Sequence, residues 1–207
     1  MTRVKICGIN DPVSFDEAVE AGADWIGFNF FPPSPRYVTA SRAAELAARH
    51  PDGPMRVGLF VDPTEAMIAE VLAKVRLDIL QLYGADAELP RLKVRFGLEI
   101  WRPVGIASAG DLPMAMGGAD ALLVEAKPPR DATRPGGNAV SFDWTLTYNW
   151  QPPGPWLLAG GLDPGNVADA IKQSGAPAVD VSSGVESAKG VKDPALIRAF
   201  IRNARGG

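Results

Sequence analysis

Trp156-Leu157-Leu158-Ala159-Gly160-Gly161-Leu162-Asp163-Pro164 begins a passage that reads as one complete structural unit. A short apolar run, too short for a helix, goes straight into a pair of glycines, the mark of a buried strand ending in a turn. Asp163-Pro164 then opens a helical stretch over residues 166–173, Gly175 closes it, and a second apolar run follows at 178–181. Strand, turn, helix and strand in that order make the βαβ unit of a parallel sheet.

The same alternation extends to both ends of the chain. Apolar runs at residues 4–7, 25–30, 57–61, 79–82, 99–104, 121–125, 156–159 and 178–181 make eight strands. They are apolar on both faces, as strands between a barrel interior and outer helices must be. Asp11-Pro12 opens a helix that ends at residues 21–24, and Thr64 precedes one over 65–75. Asp193-Pro194 opens the last, through Arg202, with Leu196, Phe200 and Ile201 on its inner face. The connection at 107–119 carries Gly and Pro within a weak helical pattern, and 126–142 reads as an irregular loop. We read residues 1–207 as one (β/α)₈ TIM barrel, small for a fold that typically takes about 250 residues. An open doubly wound sheet is the alternative, but no G-x-G-x-x-G follows the first strand.

Composition narrows the partners. The net charge is −3, with 46% hydrophobic and 22% charged residues and no basic stripe. Neither nucleic acid nor an anionic membrane is expected. The chain's one cysteine cannot form an internal disulfide, and Met1 leads at once into Val4-Lys5-Ile6-Cys7-Gly8, so the chain reads as cytoplasmic. With one cysteine and one histidine, a zinc or iron centre is not expected. The histidine, His50, falls at the solvated end of a helical stretch. Trp101, Tyr148 or Trp150, if exposed, would mark a subunit contact, and the chain is expected to be a monomer or a homodimer.

A parallel barrel carries its chemistry at the C-terminal ends of its strands. Alternation puts Lys5 and Cys7 on one face of the first strand, and the charged Lys5 fits the interior better than the helix side. Cys7 then stands at the mouth. A lone cysteine is more often a buried packing group than a base, and this position shifts the balance without deciding it. The second strand leads into Phe31-Pro32-Pro33-Ser34-Pro35-Arg36, a stiff loop whose arginine is either solvated or set for bidentate capture of a carboxylate. The sixth strand ends in Glu125, a candidate general acid, or else an ion-pair partner of Lys5 or Lys127. Gly160 and Gly161 after strand seven, with Ser183 and Gly184 after strand eight, offer backbone N–H groups where such barrels hold phosphate. Each glycine is also an ordinary turn residue.

Several motifs together resemble the phosphoribosylanthranilate isomerase family. They are Lys5-Ile6-Cys7-Gly8-Ile9, the Pro-Pro-Ser-Pro-Arg36 loop, Val57-Gly58-Leu59-Phe60-Val61, Gln81-Leu82, Phe142-Asp143-Trp144, Ala159-Gly160-Gly161-Leu162-Asp163-Pro164 and Asp180-Val181-Ser182-Ser183-Gly184-Val185-Glu186. They stand in the family's order over nearly the whole chain. The resemblance implies an isomerase of tryptophan biosynthesis that performs an Amadori rearrangement of a phosphoribosyl anthranilate without metal or cofactor. Cys7 corresponds to its base, Arg36 to the group that meets the anthranilate carboxylate, and Glu125 stands where the family has an aspartate acid. A thiol with an ordinary pKa of about 8.5 can be poised as a base, the more so if Lys5 lowers that value. Besides Glu125, Tyr83 replaces a histidine, and Ala139 replaces a glycine within Gly136-Gly137-Asn138-Ala139. These departures keep open a second reading, a weakened or inactive relative that binds a phosphosugar.

Overall fold

The computed structural model describes residues 1–127 and 141–206. Eight parallel strands close in chain order: β1 (Arg3–Cys7), β2 (Trp25–Asn29), β3 (Met55–Val61), β4 (Ile79–Tyr83), β5 (Glu99–Ile106), β6 (Ala121–Ala126), β7 (Trp156–Leu158) and β8 (Ala178–Val181). The seam is β8 against β1, with Lys5 opposite Asp180. All eight expected strands form, with no end moved by more than two residues, as hydrogen-bond boundaries commonly allow.

The helices begin where the caps foretell. In α1 (Pro12–Glu20), the Asp11 carboxylate accepts from the Ser14 N–H at 2.9 Å and Pro12 occupies the first turn. Thr64 accepts from the Met67 N–H at 3.2 Å, and Asp193 from the Ala195 N–H at 2.8 Å; such caps contribute about 1 kcal/mol each. The other described helices are α2 (Ala40–Ala47), α3 (Glu65–Leu72), α4 (Leu89–Phe96), α5 (Val167–Ser174) and α6 (Pro194–Ala204). On α6 the fully buried residues are Ile197, Phe200, Ile201 and Ala204, so the apolar stripe is centred on Ile197 and Leu196 flanks it.

Residues 107–119 form no α-helix, only the 3₁₀ turn Ala109–Asp111. The Asp111 carboxylate takes the N–H groups of Ala107 and Ser108, and Gly117 and Gly118 adopt positive φ. Capping and glycine chemistry therefore override the weak helical pattern. A short hairpin after β8, made by β9 (Glu186–Ala188) and β10 (Val191–Lys192), was not expected. Its turn carries Gly190 at φ +82°. The loop Gly136-Gly137-Asn138-Ala139 and the rest of 128–140 lie outside the described residues.

Strand parity sorts the core into two parts. Val4, Ile6, Ile26, Phe28, Phe60, Leu80 and Leu82 face the helices. Trp25, Val57, Ile79, Trp101, Ala121, Leu123, Leu157 and Ala178 fill the barrel floor. Trp101 is 1% exposed and meets Trp25 edge-on at 5.1 Å, so it packs the interior and is no subunit contact. Trp150 packs on Trp156, and Tyr148 alone of the three aromatics is exposed.

Candidate active site

Above that floor the inward positions turn polar. Cys7 from β1, Asn29 from β2, Gln81 and Tyr83 from β4, Glu125 from β6 and Asp180 from β8 line a cavity at the C-terminal mouth. Arg36 from the loop after β2, Gly160 and Gly161 after β7, and Ser182 and Ser183 after β8 complete its wall. Every site residue read from the sequence reaches this cavity except Gly184. His50 lies elsewhere, stacked on Phe15 with its Nε2 3.0 Å from the Asp16 carboxylate.

Cys7 is 5% exposed, beside a fully buried Lys5 whose Nζ donates to Asp180 Oδ1 at 2.7 Å. A Cβ on Gly27 of the neighbouring strand would lie 3.0 Å from the Cys7 sulfur and 3.2 Å from Lys5 Nζ, so the missing side chain makes room for the pair. Burial disfavours the Lys5 ammonium, but Asp180 and Cys7 outweigh it and hold its pKa above the ordinary value. Burial also pushes the Cys7 thiol up, and the attraction of Lys5 recovers only part of that shift. Lys5 therefore does not bring the Cys7 pKa below its ordinary value, because the loss of water around the thiol outweighs the attraction of the ammonium.

Glu125 is 6% exposed and its Oε1 accepts from the Tyr83 hydroxyl at 2.9 Å. Lys5 is committed to Asp180, and Lys127 lies 4.0 Å from Asp111.

Arg36 is buried, and its fork already holds a carboxylate: Nε and Nη2 donate to Glu186 at 2.6 and 3.0 Å. The arginine is therefore not solvated, and its bidentate capture of a carboxylate is spent within the protein, on Glu186. Lys192 Nζ and the Gly190 N–H also reach Glu186, at 3.0 and 3.1 Å. Burial opposes charge on Glu186, but Arg36 and Lys192 prevail and its pKa falls to about 2. Gly8 leaves space for the arginine, since a Cβ there would lie 2.7 Å from Arg36 Cδ.

The loop after β7 takes two successive left-handed residues, Gly160 at φ +84° and Gly161 at φ +66°. Only glycine does this without strain. Asn166 Nδ2 donates to the Gly161 carbonyl at 2.9 Å and ties the loop to the start of α5. Gly184 serves another purpose. A Cβ there would stand 1.9 Å from the Leu162 carbonyl oxygen, so this glycine lets the turn after β8 press against the loop after β7. Gly184→Ala is expected to spread those loops, raising KM for a phosphorylated ligand. It should also cost roughly 1–3 kcal/mol in stability, read from urea unfolding.

Tyr83, Asp180, Glu186 and Lys192 were missed as site residues. Parity alone would have found the first two, because each falls on the inward face at the end of its strand. Glu186 and Lys192 depend on the hairpin, which has no strong signature.

A parallel barrel with a thiol, a carboxyl and a guanidinium around one cavity, and a two-glycine loop at its rim, is built for acid–base work on an anionic small molecule. The family model described as N-(5'phosphoribosyl)anthranilate (PRA) isomerase matches residues 4–203. The chain belongs to that family. The N-(5'-phosphoribosyl)anthranilate isomerase of Acidiphilium cryptum is 53% identical over 99% of this chain and 98% of its own. That of Paramagnetospirillum magneticum is also 53% identical, with the same coverage. The crystal structure of the Thermotoga maritima isomerase superposes with TM-score 0.88 at 36% identity over the whole of both chains. A structure of such an isomerase with reduced 1-(o-carboxyphenylamino)-1-deoxyribulose 5-phosphate gives TM-score 0.85 at 35% identity, again over both whole chains.

Proposed function

We propose that the chain catalyses the Amadori rearrangement of N-(5'-phosphoribosyl)anthranilate to 1-(2-carboxyphenylamino)-1-deoxyribulose 5-phosphate, with Glu125 as general acid and Cys7 as general base. The observation that carries this reading is the opening of Cys7 and Glu125, from strands that are not neighbours, into one cavity. Glu125 gives a proton to the furanose ring oxygen as the C1–O bond breaks, which leaves a Schiff base to the anthranilate nitrogen. The Cys7 thiolate then takes the C2 proton. The electrons of that C–H bond form the C1–C2 double bond of an enolamine, which tautomerises to the ketone product.

The Nη1 end of Arg36, the part that Glu186 does not engage, meets the anthranilate carboxylate. The backbone N–H groups of Gly160 and Gly161, with Ser183, hold the phosphate. No cofactor or metal takes part. The protein works in the cytoplasm as a monomer or homodimer, and its partner is the phosphosugar.

The test is the decay of substrate fluorescence when enzyme is added to freshly made phosphoribosylanthranilate. Folded protein that produces no decay sinks the assignment and favours a ligand-binding relative. The raised Cys7 pKa adds a pH signature. The thiolate forms only as pH rises through a value above the ordinary thiol pKa of about 8.5, so alkylation of Cys7 by iodoacetamide should still be accelerating there. A rate already level near pH 7 would show that the surroundings do not hold the thiol protonated.

A further inference from the structure

Tyr83 closes β4 and points into the barrel, 9% exposed, in one packed cluster with Cys7 and Leu59. Its hydroxyl donates to Glu125 Oε1 at 2.9 Å. Gln81, two residues earlier on the same face, offers Nε2 to that hydroxyl at 3.4 Å. A phenol has one proton to donate, so accepting from Gln81 and donating to Glu125 uses it in both directions. Burial, and after it the charge of Glu125, raises the Tyr83 pKa well above that of an ordinary phenol, so the hydroxyl keeps its proton.

A glutamate carboxyl turns broadly about its last torsion and has one more rotatable bond than aspartate. A proton donor that must meet one ring oxygen gains from having that rotation stopped, because a misplacement of about 1 Å costs on the order of 10²-fold in rate. Glu125 and Tyr83 are also two of the positions at which this chain departs from the pattern it resembles, and they are the two ends of this bond.

We propose that Tyr83 is a positioning residue for the acid: its hydroxyl holds Oε1 of Glu125 and so limits the rotation of the carboxyl that passes a proton to the substrate's ring oxygen. The proposal rests on the reading of Glu125 as the acid.

The experiment is a double-mutant cycle on the whole chain with phosphoribosylanthranilate as substrate. Tyr83→Phe keeps the ring and removes only the hydroxyl. It should lower kcat by roughly 10- to 100-fold with KM and thermal midpoint near the wild-type values. Glu125→Gln should lower kcat further, by about 10²–10⁴-fold. In the Glu125→Gln background, Tyr83→Phe should then change the residual kcat hardly at all, because the group it positions has lost its proton. An equal loss from Tyr83→Phe in both backgrounds would overturn the proposal, as would an unchanged kcat or a loss confined to KM. If Glu125→Gln keeps the wild-type kcat, the acid reading itself fails, an outcome distinct from the others.

Discussion

Replacing Cys7 with serine is expected to lower kcat by about 10²–10⁴-fold, the range that a positioned general base supplies. The hydroxyl fills nearly the same space but holds its proton far too tightly to take one from carbon. KM should stay close to the wild-type value, because the proposed reading has carboxylate and phosphate gripped elsewhere, by Arg36 and the loop after β7. Rapid mixing makes the distinction: bound substrate keeps its fluorescence in the Cys7→Ser variant and loses it in the parent. If the variant turns over normally, Asp180 becomes the candidate base, since it lines the same cavity and is the nearest carboxylate partner of the Lys5 ammonium.

Glu186→Gln should have the largest effect on stability. The side chains of Glu186 and Arg36 are each 5% exposed and that of Lys192 is fully buried, so the amide would leave two cations in the interior without their shared anion. Breaking a buried pair in this way costs roughly 3–5 kcal/mol, which urea unfolding would read as a lower midpoint. The remaining folded enzyme should show a raised KM with kcat near normal, since Arg36 would lose its aim while the acid and base stay in place. Acid titration of the parent protein gives the matching sign. Glu186 has its pKa lowered to about 2, so its contribution is complete above its unfolded value near 4.3 and disappears as pH falls towards 2. The variant should lack that part of the slope. Equal stability of the two proteins at neutral pH would show that the cluster is not needed to hold the fold.

The barrel was legible because its strands announce themselves twice, by apolar runs and by the residues that end them. Asp11-Pro12 and Asp193-Pro194 state where helices begin in terms local to the chain, and the structure begins them there. Cys7 and Glu125 could be placed at the mouth for the same reason, since parity within a strand is a local property. The side-chain partners were not local. Arg36 meets Glu186 across 150 residues, and Lys5 meets Asp180 across 175. Nothing at either end of such a bond names the other. The net Cys7 shift could not be read for a related reason, since the presence of Lys5 is visible in the sequence but the burial of both groups is not.

The seam between β1 and β8 has a consequence for how the enzyme is made. The two strands of the seam, which carry Cys7 and Lys5 on one side and Asp180 on the other, are far apart in sequence, and α1 is clasped to α6 there by Glu17 and Arg198. During synthesis the Cys7 thiol leaves the ribosome long before Asp180, whose charge helps to hold it protonated in the closed barrel. A nascent chain therefore carries this thiol long before it has the burial that suppresses its ionisation and shields it. Competence arrives together with closure of the ring, and the reactivity of one thiol towards an alkylating probe would time that event.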